Sequence, residues 1–185
     1  MKVFSHFKTI CYHKYLVMKG CFAVGLYYQG LIHDLSKFSH SEFFVGAKYY
    51  QGTRSPNNKE RELYGYSSAW LHHKGRNRHH YEYWTDYSSR SELGIVFVEM
   101  PKRYVVEMVM DRIAASKVYN KGTYQDGDPL RYYQSGKGRT LMHEETKKLL
   151  EEILQLLANK GEKETFAYLR HLLKEDKKEK KEITN

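Results

Sequence analysis

Cysteine, proline and long apolar runs are all scarce in this chain. Its two cysteines, Cys11 and Cys21, are too few for a disulfide framework or a structural zinc knuckle. On one helix they would stand about 15 Å apart, beyond the roughly 7 Å Cα limit for a bridge. Both are therefore expected as free thiols in a reducing compartment. Three prolines in 185 residues leave room for long helices. No run approaches the roughly 20 apolar residues of a membrane span. Lys8, His13, Lys14 and Lys19 interrupt any apolar segment of a signal peptide. The expectation is a soluble, cytoplasmic protein with no membrane partner.

What is present is core material and positive charge. Hydrophobic residues make up 41% and charged residues 29%, which excludes global disorder. The net charge of +9 arises in residues 1–60 and 101–141 rather than in a tail. A basic body favours anionic partners.

Ile10, His13, Val17, Cys21, Val24 and Tyr28 recur at three- and four-residue steps, predicting an amphipathic helix over residues 7–28 closed by Gly30. After a short connection, Ser39 with Glu42 reads as a capping box, and Phe38 with Phe43 as a hydrophobic staple. These start a second helix that runs to Tyr50. Residues 51–62 read as a surface loop, residues 63–84 as a helix with an optional break at Gly75, and residues 95–98 as a connector. Pro101 and Gly122 bracket the clearest helix, 101–120, whose stripe is Tyr104, Met108, Asp111, Ala115 and Val118. Residues 123–139 read as a loop, and helices follow over 141–158 and 162–173. The predicted architecture is all-α, a single domain of five to seven helices over residues 1–173, with a solvated or frayed charged tail at 174–185.

Polar residues on apolar stripes set the functional question. His13 and Asp111 each stand where a core residue belongs. For His13 alone, an ordinary buried histidine is the commoner reading. Asp111 is harder to dismiss, because an unpaired buried carboxylate costs several kcal/mol. Arg112 points about 100° away on the helix and is a poor partner, so ion pairing and metal ligation stand even for Asp111. His33-Asp34 occupies the short connection, followed by Ser36 and Lys37.

A denser signal runs from Ala69 to Trp84 and holds His72, His73, His79 and His80. On a continuous helix His73, Asn77, His80 and Trp84 share a face. His73 and His80 would then be about 10 Å apart, too far to share one ion at bonds of ~2.1 Å. They would serve two ions, or one ion if the helix breaks at Gly75. A chance polar face is the bland alternative.

The order His13, His33-Asp34, Asp111 on a helical frame resembles the HD-domain superfamily of metal-dependent phosphohydrolases. His33-Asp34-Leu35-Ser36-Lys37 looks like that superfamily's extended doublet, whose lysine faces phosphate. Together with Ala69-Trp70, His73, Asn77, His79-His80, Trp84 and Glu107-Met108 with Asp111, the pattern is similar to a bacterial and phage family of uncharacterised function that itself looks HD-like. One departure is Asp111-Arg112, where members of that family often carry Asp-Trp.

The resemblance implies a metal site of His13, His33, Asp34, His73, His80 and Asp111, with the choice between His79 and His80 open. It implies one or two divalent transition-metal ions; mixed N/O ligation suits Mn, Fe, Co, Ni or Zn. Asp34 would bridge, Lys37 and Glu107 would join it in catalysis, and Lys37, Arg76, Asn77 and Arg112 would bind substrate. The implied reaction is hydrolysis of a phosphorylated small molecule or nucleotide by an ion-activated water. Two alternatives stay open. One is an HD-type di-iron oxygenase. The other is a non-enzymatic nucleic-acid-binding domain, using the aromatic stretch Tyr119–Tyr133 and the basic surface.

Overall fold

Helix α6, Lys102–Asn120, is buried on nearly every side. The computed structural model describes residues 2–136 and 141–184. Within them Val105, Val106, Met108, Val109, Met110, Ile113 and Ala114 of α6 all lie in the core, as befits a helix apolar around its circumference. Helices α1 (Lys2–Ala23), α7 (Asp128–Gly136) and α8 (Glu144–Thr184) pack against it. Val17 and Cys21 from α1, Tyr133 from α7, and Leu150, Leu154, Leu157 and Leu169 from α8 complete one apolar cluster. Helices α2 (Tyr27–Ile32) and α3 (His40–Lys48) pack on α1, while α4 (Pro56–Tyr64) and α5 (Ser68–Lys74) pack on α3.

The fold is all-α, with eight α-helices among the described residues rather than five to seven. Two stretches read as loops contain helices. Pro56, its φ preset for a first turn, opens α4 inside residues 51–62. Within residues 123–139, Asp128 opens α7, its Oδ2 accepting from the Gln125 backbone N–H at 3.0 Å, and Tyr133 anchors the helix in the core. The part of that loop at 137–139 lies outside the described residues.

Residues 63–84 are not one helix. Gly65, at φ 78°, stops α4, and Ser67 caps α5 by accepting the Trp70 backbone N–H at 3.1 Å. Residues 95–97 are a strand, not a connector: β2 (Ile95–Phe97) pairs antiparallel with β1 (Thr85–Tyr87) in an exposed hairpin. The first helix stops at Gly25, φ 86°, rather than at Gly30. Gly30 lies inside α2, where a Cβ would come 3.0 Å from Cys21 Cβ and from the Phe22 ring. Gly161, at φ 78°, kinks α8, which then stays helical to Thr184 with residues 177–182 exposed; Lys102 pairs with Glu179 at 3.2 Å across to α6. Both cysteines are free. Among the described residues, no helix is long and apolar enough to cross a membrane.

The α1–α3 crossing leaves no room for a side chain at Gly46. A Cβ on Gly46 would lie 2.5 Å from His6 Nε2, and the His6 ring is held by Phe43 and Tyr50 at centroid distances of 5.5 and 5.7 Å. Gly46→Ala is expected to cost about 1–3 kcal/mol in urea unfolding despite its better helix propensity. Gly20→Ala meets only the flexible Met110 thioether, at 2.7 Å, and is expected to cost less.

His6 also predicts an acid response. Burial, then the charge of Lys37, pushes its pKa down from 6.5 to about 4. Below pH 6.5 the unfolded chain binds a proton that the folded chain refuses, so stability is lost as pH falls from 6.5 toward 4. The thermal midpoint should drop across that window, and drop less steeply in His6→Phe.

Candidate metal centre

Four segments converge on Asp34. Helix α1 brings His13, the end of α2 brings His33, α5 and the turn after it bring His73, His79 and His80, and α6 brings Glu107 and Asp111. Asp34 takes a left-handed backbone, φ 55°, which aspartate adopts more readily than most residues. On one side of it the His33 N–H closes α2 on Gln29 O at 2.8 Å; on the other a 3₁₀ turn, Leu35–Phe38, begins with the Lys37 N–H donating to Asp34 O at 3.0 Å. Lys14 of α1 donates through Nζ to Leu31 O at 2.7 Å and His33 O at 2.8 Å, fixing the doublet to the helix that carries His13.

The two carboxylate oxygens of Asp34 face different histidines. Oδ2 lies 3.2 Å from His33 Nε2 and 3.6 Å from His13 Nε2; Asp111 Oδ1 lies 2.9 and 3.6 Å from the His13 and His33 Nε2 atoms. Oδ1 lies 3.3 Å from His73 Nε2 and 3.5 Å from His79 Nε2, with His80 in the same group. Ligand atoms within each set, His13/His33/Asp34/Asp111 and Asp34/His73/His79/His80, lie within 4.8 Å of one another.

Separations of this size are also those between donors that share one ion. Two donors bound at ~2.1 Å and at tetrahedral or octahedral angles stand about 3.0–3.4 Å apart. Asp34 Oδ1 and the Nε2 atoms of His79 and His80 are buried without a hydrogen-bond partner, whereas Asp34 Oδ2 has the Lys37 ammonium against it. Buried polar atoms are rarely left so. These groups can hold metal ions, and their donor chemistry fits.

The chain break after α5 assembles the histidine-rich half. Helix α5 stops at Lys74, and Asn77 turns back to donate from Nδ2 to His73 O and Ser36 Oγ, both at 2.8 Å. His73 and His80 rings thereby come to 4.7 Å instead of standing two turns apart, and His79 lies 4.1 Å from His80. Trp70 packs edge-on against His80 at 4.6 Å, and Trp84 fixes the turn by donating its indole N–H to Arg78 O at 2.8 Å. Both His79 and His80, between which the sequence leaves the choice open, lie in the group that could hold an ion.

A second layer orients the rings. Glu107 Oε1 lies 2.9 Å from His33 Nδ1 and 3.3 Å from His79 Nδ1, while Glu42 places one oxygen on His73 Nδ1 and the other on His72 Nδ1, each at 2.7 Å. Carboxylates on the far nitrogen turn Nε2 toward the pocket. Glu107 thus faces the backs of two rings. Glu42, read as half of a capping box, serves His72 and His73; Ser39 is the N-cap of α3 but makes no side-chain cap bond. Between Phe38 and Phe43 stands Phe7, at 6.2 and 6.4 Å from their ring centroids.

The expected substrate residues are dispersed. Lys37 is at the centre, its Nζ 2.5 Å from Asp34 Oδ2. Asn77 is spent on the turn. Arg76 is exposed and donates to His72 O at 3.2 Å. Arg112 turns away from Asp111, its guanidinium over the Tyr133 ring at 5.7 Å, because neighbouring helix positions diverge. The stretch Tyr119–Tyr133 is not one exposed aromatic strip: Tyr132 is exposed, but Tyr133 is buried and Tyr119 and Tyr124 are half-buried.

Charge balance inside the cluster is set by contact against burial. Burial pushes the Asp34 carboxyl up, but the charges of His33, Lys37 and His73 outweigh it and hold it well below the carboxylate range. Asp111 is held low in the same way by His13 and His33. Burial lowers His33 and His73, yet Asp34 raises both above the ordinary imidazole range. Burial and neighbouring imidazoles keep His79 and His80 low.

Residues 2–156 match the model of a family of unknown function, DUF5662. The match spans every residue of both ligand sets and ends before the kink of α8. No curated protein and no solved structure matches the chain.

Proposed function

The chain belongs to the DUF5662 family, and from that premise we propose that it is a metal-dependent phosphohydrolase of HD-like type, in which the two ligand sets that meet at Asp34 would each hold an ion. The observation that carries this reading is the division of Asp34, with Oδ2 facing His13 and His33 and Oδ1 facing His73 and His79. Two buried ligand sets joined by one carboxylate suit a pair of ions better than a single structural ion, which would close its shell with four donors.

When bound, such ions supply an acidified water and withdraw charge from a phosphoryl oxygen. The chain's own residues do the rest. His13, His33 and Asp111 hold one half, and His73, His79 and His80 the other. Glu107 and Glu42 fix the ring orientations. Lys37, whose ammonium lies on Asp34 Oδ2 and whose side chain is 29% exposed, would neutralise a phosphoryl oxygen. The basic body raises the local concentration of a phosphorylated substrate.

The test is elemental analysis of the purified protein, followed by a screen of phosphorylated metabolites and nucleotides with Mn added back. Two transition-metal ions per chain and chelator-sensitive phosphate release are expected; a metal-free protein that binds none on titration contradicts the reading. Bound iron with visible absorption that responds to oxygen, and no phosphate release, would move the assignment to an oxygenase.

Metal uptake should depend on pH with a defined sign. His33 and His73 have raised pKa values and must lose their protons to bind. Affinity is expected to rise with pH through the neutral range, with proton release on uptake. Calorimetry in two buffers of different ionisation enthalpy reads both.

A further inference from the structure

The two halves of the cluster are not equivalent, and the difference lies in a lysine. Lys37 Nζ sits 2.5 Å from Asp34 Oδ2, the oxygen that faces His13 and His33, and no such ammonium touches Oδ1 among the described residues. We infer that Lys37 is a built-in competitor for the ion of the carboxylate-rich half, making that half the weaker, exchangeable one while the histidine-rich half fills first. This inference rests on the two-ion reading above.

The physical grounds are local. An ion entering among His13, His33, Asp34 and Asp111 must take over an oxygen that already has a cation in contact, and it then faces that cation at short range. Like charges at contact distance in a buried site repel far more strongly than in water. An ion entering among Asp34 Oδ1, His73, His79 and His80 displaces no ammonium from its carboxylate oxygen. Its donors are mostly imidazoles, which bind as neutral groups and suit borderline transition metals.

Lys37 also has a way out. It stands on a one-turn 3₁₀ segment, and its side chain is 29% exposed, against 2% for Asp34. Leaving Oδ2 therefore brings the ammonium toward water, where an anion can hold it. Inorganic phosphate, or the phosphoryl group of a substrate, is the chemical class that would draw it away. Occupancy of the weak half would then be coupled to the arrival of an anionic ligand, since whatever pairs with Lys37 frees Asp34 Oδ2.

The experiment is a Co(II) titration of the metal-stripped full chain, followed by visible absorption and by equilibrium dialysis, on wild type, Lys37→Met, Lys37→Gln and Lys37→Arg. Wild type is expected to show one tight and one weak equivalent. Both neutral variants should tighten the weak equivalent about 10–100-fold, the range seen when groups around a metal site are altered, and leave the tight one unmoved. Lys37→Arg, which keeps the charge, should titrate like wild type. Circular dichroism confirms that each variant is folded, and the two neutral variants guard against one of them failing to fold. His80→Ala should lose the tight equivalent and keep the weak one, which identifies the halves. Two equivalents insensitive to Lys37→Met and Lys37→Gln overturn the inference while leaving the two-ion reading standing. A chain that binds no Co(II) overturns both.

Discussion

If two ions bind as proposed, replacing Asp34 with asparagine is expected to remove both together, with metal content falling below about a tenth of wild type, because one carboxylate belongs to both ligand sets. Asparagine is the right probe. It keeps the shape of the side chain and tolerates the left-handed backbone at φ 55°, whereas alanine would add strain to the loss of ligand. The helical circular dichroism should persist, since the apolar cluster around α6 does not include this residue. What disappears is the stabilisation conferred by the ions. A ligand at a hundredfold excess over its dissociation constant raises stability by about 2.7 kcal/mol, so the wild type should gain several degrees in thermal midpoint on adding Mn or Zn and the variant nothing. Elemental analysis beside that thermal shift decides it: metal retained at wild-type stoichiometry would refute the shared-carboxylate arrangement.

The second large effect is expected at Glu107, whose carboxylate lies against the Nδ1 atoms of His33 and His79. Glu107→Ala leaves two buried imidazole nitrogens without that partner, which should cost about 1–3 kcal/mol of stability. It should also weaken metal binding about 10–100-fold through loss of ring orientation. Glu107→Gln can keep one oxygen facing both rings, as Oε1 does, but loses the charge, and should fall between. The pair of variants separates two roles. A positioning residue loses metal affinity in proportion to activity, and activity returns at saturating metal. A proton acceptor would lose activity in Glu107→Gln with metal affinity intact.

Much of the site was legible from residue order. His13 and Asp111 interrupt apolar stripes on helices that did form, and a buried carboxylate without a cation is too costly to pass as packing. His33-Asp34 falls where two helices end and begin, so backbone chemistry alone places it at a turn. The histidine-rich half was less legible. A helical reading of residues 69–84 separates His73 from His80 by two turns, and only the break after Lys74 brings their rings to 4.7 Å. That break is held by contacts from elsewhere, Asn77 on Ser36 and Trp84 on Arg78 among them.

The sequence by itself determined the helical class, the central apolar helix and the identity of most of the groups now gathered at Asp34, because periodicity and the cost of buried charge act locally along the chain. Tertiary structure alone decided that His79 joins His80, that Glu42 and Glu107 stand behind the rings, that Arg76 and Arg112 turn elsewhere, and that residues 56–64 and 128–136 are helical. Which nitrogen of an imidazole faces a pocket, and whether a polar segment coils into a helix, depends on what the rest of the chain packs against it. Spacing along one segment carries no record of such partners.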